Sequence, residues 1–533
     1  MNNIKKIYLV LLIAVFFIPY NNAQQQVHIP WPSLADSPWP VLRGDMQGTG
    51  RSRYVGPRTN NVIWRQDMPL GIFHGPVVGY NDDLFVGTRA VLWDGFNYFY
   101  SLDKDGENIW TFVTEGGRAN LAGATIANDG TIYFSSLGAT SGAEVLYALN
   151  PDGTLKWVND RFGYGFFTRH ISVGKNNYLY LPFLDTLYIL EPENGNIIDS
   201  VNIPYISETE IVFSVGGDTI FYISGRLFTQ DPKAINAATI NGEILWSVEF
   251  DSHNWGTPVV DNNNRVYVYG SEDYANLFLY CINPDGTNNW KYQLDTNERY
   301  ENYSSPTIDG NGNIIFQSSS PDSGYITSLD YNGILNWKTT LGHFYEDGAF
   351  ISHGLVCDAE GKIYCGSSLG LTTNFWCLDK DGKILWKLDL EGYEYDTSPA
   401  IGSDGTLYIG THIDGLFQNH IRNLIAIRDT GATIVENDNI IDEYNLSQNY
   451  PNPFNPVTTI RYSIPESGEV TITVYDILGR IVGTLVGDFK QNGNYEVTFN
   501  ANDLSSGVYI YRITATNNGR ILFTDSKHMI LLR

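Results

Sequence analysis

FYSLDKDGENIW (99–110), LYALNPDGTLKW (146–157), LYCINPDGTNNW (279–290), ITSLDYNGILNW (326–337) and FWCLDKDGKILW (375–386) are one phrase written five times. Three looser copies read LYILEPENGNII (187–198), INAATINGEILW (235–246) and LIAIRDTGATIV (424–435). In each, an apolar run leads to an Asp- or Asn-rich turn closed by glycine, and a second short run follows, ending in tryptophan in six of the eight. The closing glycines, from Gly106 to Gly431, are spaced by 47, 42, 47, 44, 47, 49 and 49 residues, which is the period of a propeller blade. Ahead of the phrase lies a further hairpin, as in GPVVGYNDDLFVGT (75–88), TPVVDNNNRVYVYGS (257–271) and SPAIGSDGTLYIGT (398–411). Each unit thus supplies four strand-sized segments with tight turns between paired ones.

One four-stranded antiparallel sheet cannot bury both of its faces, so successive units must stack around an axis. The sequence therefore predicts an all-β chain, an eight-bladed β-propeller over 62–435 followed by a small β-sandwich. An extra turn-free copy of the last strand, VIWRQDM (62–68), precedes the first unit and carries Trp64, while the final unit ends in ATIVEN with Val435 in place of tryptophan. The N-terminal strand is expected to close the last blade. Trp110, Trp157, Trp246, Trp290, Trp337 and Trp386 occupy equivalent positions, which suits packing between blades.

Residues 1–23 combine Lys5 and Lys6, an apolar run from Ile7 to Ile18 and a small residue at Ala23. Twelve apolar residues are too few for a membrane-spanning helix, and the stretch reads as a secretory signal peptide. An N-terminal segment (24–61) precedes the propeller, and an acidic linker (436–445) follows it. The expected product is exported through the periplasm, with no transmembrane segment in the mature chain. With 59 acidic and 33 basic residues and a net charge of −26, the chain lacks the basic stripe that neutralises phosphates, which argues against nucleic acid as a partner. Four cysteines are too few for a disulfide scaffold. Cys281 and Cys377 read as small apolar core residues; Cys357 and Cys365 flank one turn, and their pairing stays open.

After the linker the punctuation changes. NYPNPFNP (449–456) forbids helix through its prolines. Strands then alternate at 458–464, 469–477, 480–486, 495–500, 507–516 and 525–532, as in a small Ig-like sandwich over 446–533. NYPNPFNP, VYDILGR (474–480), SGVYIYRI (506–513) and the terminal KHMILLR (527–533) resemble, in that order, the bacterial C-terminal sorting domain of the type IX secretion system. Asn449, Pro451, Pro453, Phe454, Tyr475, Gly479, Arg480, Gly507, Tyr509 and Lys527 carry the likeness. It implies delivery to the outer cell surface or medium and a partner in the outer-membrane secretion machinery.

The blade phrase, together with WPVLRGDMQGTGRS (39–52), resembles the propeller family named for pyrroloquinoline quinone. Some of its members are quinone-dependent dehydrogenases and others are scaffolds without cofactor, so the repeat alone does not choose. The enzymes' adjacent cysteine pair and calcium-ligating Asp have no counterpart that can be placed here. DKDG (103–106 and 379–382) and DGNGN (309–313) read as turns rather than calcium loops, and RGD (43–45) as part of the opening motif. His170, His253, His353 and His412 are scattered without a nucleophile motif. No catalytic, cofactor-binding or metal-binding residue is assigned, and neither quinone nor calcium is expected. The loops 159–170, 295–303 and 341–350 set aromatics beside charges and are candidates to bind a glycan or a peptide. The expectation is a non-enzymatic binding or scaffold propeller. The alternative is a quinoprotein-like oxidoreductase, or another propeller enzyme with an active site that no motif reveals.

Overall fold

A computed structural model describes residues 25–68, 71–72, 75–89, 97–114, 123–137, 144–162, 170–204, 210–225, 233–253, 256–273, 276–299, 304–321, 323–343, 350–351, 354–369, 372–391, 398–411, 423–429, 444–465, 468–490, 493–502, 504–517 and 520–532. The signal-peptide stretch, residues 436–443 of the linker, the ATIVEN end of the last repeat, His353, His412 and most of the aromatic loops fall outside these residues; the last two linker residues, Tyr444 and Asn445, belong to the C-terminal module, Asn445 opening its first strand.

Between Val62 and Ile427 the described strands form eight antiparallel sheets of four or five strands. The second shows the plan: Thr125–Ile126 innermost, then Ile132–Leu137, Glu144–Leu149 and Leu155–Asn159 outermost. In the first, fifth and seventh sheets the innermost strand comes in two short pieces. The eighth sheet joins the two ends of the ring. Val62–Asp67 lies antiparallel to Asn423–Ile427, with Trp64 opposite Ala426, and supplies the outermost strand.

The repeat phrase has a direct physical cause. Each tryptophan lies on the phrase glycine of the next sheet and donates its indole N–H to a carbonyl of that turn. Trp110 Nε1 reaches Pro151 O at 3.0 Å, Trp157 reaches Pro192 O at 2.8 Å, Trp246 reaches Pro284 O at 2.8 Å, and Trp337 reaches Lys380 O at 3.0 Å. Trp290 does the same to Tyr331 O at 3.2 Å, and Trp64 carries the clasp across the seam to Lys104 O at 2.9 Å. Trp386 instead donates to Pro57 O at 3.4 Å, because residues ahead of Val62 take the place of a turn in the eighth sheet. The turn residue must be glycine twice over. At Gly195 φ is +68°, and a Cβ there would stand 2.5 Å from the Trp157 ring.

The four cysteines are buried free thiols. Cys357 pairs across its hairpin with Ile363, which shifts Cys365 two residues from the position that a cross-strand disulfide needs.

The C-terminal module packs a three-stranded sheet (Asn445–Leu446, Val457–Ile464, Gly493–Asn500) against a four-stranded one ordered Ile481–Lys490, Gly468–Asp476, Gly507–Asn517, Arg520–Leu531. The last strand begins five residues earlier than its sequence pattern suggested, since Arg520–Phe523 extend the pairing with Ala515–Asn517. The sorting-type residues build this sandwich. Asn449 is buried; its backbone N–H donates to Tyr511 Oη at 2.7 Å, and its side chain donates to Pro451 O and Thr458 Oγ1. Phe454 sits in the core and bridges to Leu531, and Tyr509 Oη donates to Ser505 O. Lys527 lies opposite Tyr511 on the terminal strand, and Pro451 and Pro453 follow cis peptide bonds.

Candidate binding face of the ring

Two kinds of connection alternate around the ring. From innermost to second strand there are eight turns of five residues each, from 79–83 to 402–406. From outermost strand to the next sheet's inner edge the connections are 115–124, 160–171, 203–211, 251–258, 294–306, 344–355 and 392–399. Antiparallel pairing puts the first set at one end of the ring and the second at the other.

The short-turn end is covered by the chain's own N-terminal segment. Trp31 Nε1 donates to Val173 O at 2.6 Å, Ala35 N to Ile126 O at 2.9 Å, and Val78 N to Trp39 O at 2.8 Å. Farther on, Phe213 N donates to Met46 O, Val260 N to Gln47 O, Ile308 N to Thr49 O and Cys357 N to Gly50 O. The segment thereby binds the inner strands of seven sheets. Buried backbone groups need partners, and these strands, two residues long, find theirs in the strap. The RGD stretch belongs to it. Arg43 is buried, its Nε donating to Gly48 O at 2.9 Å and its Nη2 to Pro306 O, while Asp45 accepts from the Thr49 amide. Burial pulls the Arg43 guanidinium down to about 10, against the pull of Glu210 and Asp45.

The C-terminal module docks at the same end. Tyr450 stacks on Tyr80 with ring centroids 4.4 Å apart, Arg461 Nη1 donates to Tyr80 O at 2.6 Å, and Ser447 Oγ donates to Asp36 at 3.0 Å.

At the opposite end, the residues two places ahead of each inner strand form a ring of their own: Gly75, Gly123, His170, Glu210, Thr257, Ser305, Gly354 and Ser398. Most are small because the sheets converge there; a Cβ on Gly75 would stand 1.7 Å from Ser398 O. Two break the pattern. His170 Nε2 and Glu210 Oε1 are 2.9 Å apart, with Thr257 Oγ1 donating to Glu210 Oε2 at 3.4 Å. The pair bridges the third and fourth sheets near the axis, within electrostatic reach of Arg43 of the N-terminal segment. Sequence reading named His170 but gave it no partner. The available signal was that Glu210 stands one repeat later at the equivalent position.

Along the flank between the fourth and fifth sheets a crevice of about 390 Å³ runs from this end, at Asp251 and Glu272, toward the hairpin turn at Gly286 and Asn288. Glu249, Phe250, Asp251, Glu272 and Tyr280 line it, the two aromatic rings 5.0 Å apart. Its mix of aromatic face and carboxylate is the one sought in the loops; 163–169, 300–303 and 344–349 of those loops lie outside the described residues.

The acidic turns use their carboxylates locally. Asp103 Oδ1 accepts from the amides of Asp105 and Glu107, Asp379 Oδ1 from Asp381 and Lys383, and Asp309 Oδ1 from Asn311 and Asn313. Among the described residues no group of three or more His, Cys, Asp or Glu is placed to hold a metal, and no helix is long and apolar enough to cross a membrane. The four thiols sit on separate strands with no two adjacent, and burial pushes the Cys281 thiol up to about 12.

These sheets define a PQQ-like repeat β-propeller carrying a C-terminal sandwich. Residues 49–211 and 185–347 match the family described as outer membrane protein assembly factor BamB, together more than half of the chain, and the protein belongs to that repeat family. Residues 448–522 match the secretion system C-terminal sorting domain, which marks the protein as exported, to the cell surface or the medium. No curated protein matches the chain. Similar solved structures include the Dos1 propeller (12% identity, 70% of this chain and 96% of that one, TM-score 0.46). Others are a hydrazine synthase of Kuenenia stuttgartiensis (13%, 58% and 95%, 0.41) and a eukaryotic initiation factor (10%, 81% and 91%, 0.42).

Proposed function

We propose that the protein is a non-enzymatic binding or scaffold propeller, exported by way of an N-terminal signal peptide and displayed or released by its sorting domain. The observation that carries the reading is the division of the two ends. Strap and sandwich occupy the short-turn end, which leaves the long-connection end, with the His170–Glu210 pair and the Phe250–Tyr280 crevice, for a ligand. Aromatic faces beside carboxylates suit the C–H faces and hydroxyls of a glycan, or the side chains of a peptide. The repeat family's description as an assembly factor supports a scaffold role over a catalytic one.

The test is thermal shift of the mature full-length protein against polysaccharides and peptides, with quinone plus calcium as a separate arm. Stabilisation by a glycan or peptide, weakened by Glu210→Gln or Tyr280→Ala, is the expected result. A shift confined to the quinone arm would overturn it.

One observation favours a second reading, an enzyme: His170 and Glu210 are out-of-pattern residues at the neck of the ring, an arrangement able to move a proton. Turnover of a sugar, alcohol or peptide, abolished by Glu210→Gln, would establish that reading in place of the first.

A further inference from the structure

The four-stranded sheet of the C-terminal module departs from the usual alternation of apolar-in and polar-out. At one end of its outward side the register sets Ile481 beside Tyr475, Tyr475 beside Ile510, and Val508 beside Ile530. The adjoining turn adds Ile477 and Leu478, each 72% exposed, and the chain end adds exposed Leu532.

The turn has an internal control. In VYDILGR, Asp476 Oδ1 accepts from the amides of Leu478 and Arg480, and Gly479 has φ +78°. The propeller builds the same turn at Asp103–Gly106 and Asp379–Gly382, with aspartates accepting the same two amides and glycines at +86° and +82°. There the two tip residues are Lys104–Asp105 and Lys380–Asp381; here they are Ile477–Leu478. Folding the turn does not require the apolar pair, and leaving it in water is unfavourable.

We propose that this surface is where the module docks on a protein of the export machinery, in an apolar recess with an acidic rim. The inference rests on the module being a sorting domain. Three observations select this occupant. The surface belongs to the sheet that makes none of the contacts to Tyr80 and Asp36, so it stays open on a folded cargo. Its margin carries Arg480, ion-paired with Asp476 at 2.6 Å, together with Arg512 and His528, Arg512 lying over the Tyr475 ring at 5.4 Å. Finally, residues 446–533 hold seven basic and seven acidic side chains, so the charge of −26 resides in the remainder and does not repel an acidic partner from this end.

The experiment follows export of the full chain in a bacterium with this secretion system, comparing wild type, the double variant I477K/L478D and a chain lacking 446–533. The double variant rewrites the tip as DKDG, a turn this protein already folds twice, and its thermal midpoint should match wild type. Burial of two large apolar side chains lost from docking should lower surface and medium protein by roughly tenfold or more. Val508→Thr with Ile530→Thr should act in the same direction. Wild-type export of I477K/L478D, with the truncated chain retained, would overturn the docking surface and leave the sorting role standing. Export of the truncated chain would overturn both. Two further results would also overturn it by giving the surface another occupant: binding of the purified chain to phosphatidylethanolamine–phosphatidylglycerol vesicles, or dimerisation, either one lost in I477K/L478D.

Discussion

Trp157 and Gly195 show how one contact writes two letters of the repeat. The glycine is required by its positive φ and by the ring lying on its Cα, and the tryptophan is kept by the flat surface that glycine offers. Trp157→Ala should cost about 3–5 kcal/mol, as for a buried large-to-small change. Gly195→Ala should cost about 1–3 kcal/mol through backbone strain and collision with the ring. Urea unfolding of the two single variants and the double should show the pair to be non-additive, because removing the ring removes half of the alanine's penalty. Equal additivity would mean that the two do not touch. Both residue types were legible as a period, but their contact was not, since the partners are 38 residues apart in different units. His170 and Glu210 were hidden in the same way: each is ordinary alone, and only the stacking of neighbouring sheets brings them to 2.9 Å.

Strands were the most legible level of the sequence. Alternation and turn residues gave nearly every hairpin, and the spare Trp64 phrase pointed to the seam strand that the structure pairs with Asn423–Ile427. Deleting Val62–Asp67 should expose that edge and remove the Trp64 clasp on Lys104 O. The expected outcome is a lower thermal midpoint and concentration-dependent aggregation, with partial rescue by a synthetic 60–68 peptide. An unchanged midpoint would mean that the seam closes without it. The strap at 25–57 was not legible as structure. It has no alternation of its own, and its order comes from amides and carbonyls that the two-residue inner strands leave over, a demand visible only once the sheets are assembled.

For the molecule as a whole, the sequence conveyed a repeat, a sorting tail and a direction of travel, yet it did not show that the chain uses one end of the ring for itself. Topology supplies that. The eight five-residue turns face the strap and the sandwich, while the long connections face away. Function is therefore expected at the long-connection end, and it depends on residues that break the repeat rather than on those that keep it. Hydrogen exchange of the mature full-length protein, with and without a ligand identified by thermal shift, tests this most directly. The account predicts slowed exchange in 160–171, 203–211 and 251–258, with the turns 79–83 and 127–131 unchanged; protection concentrated in those turns or along 25–57 would contradict it.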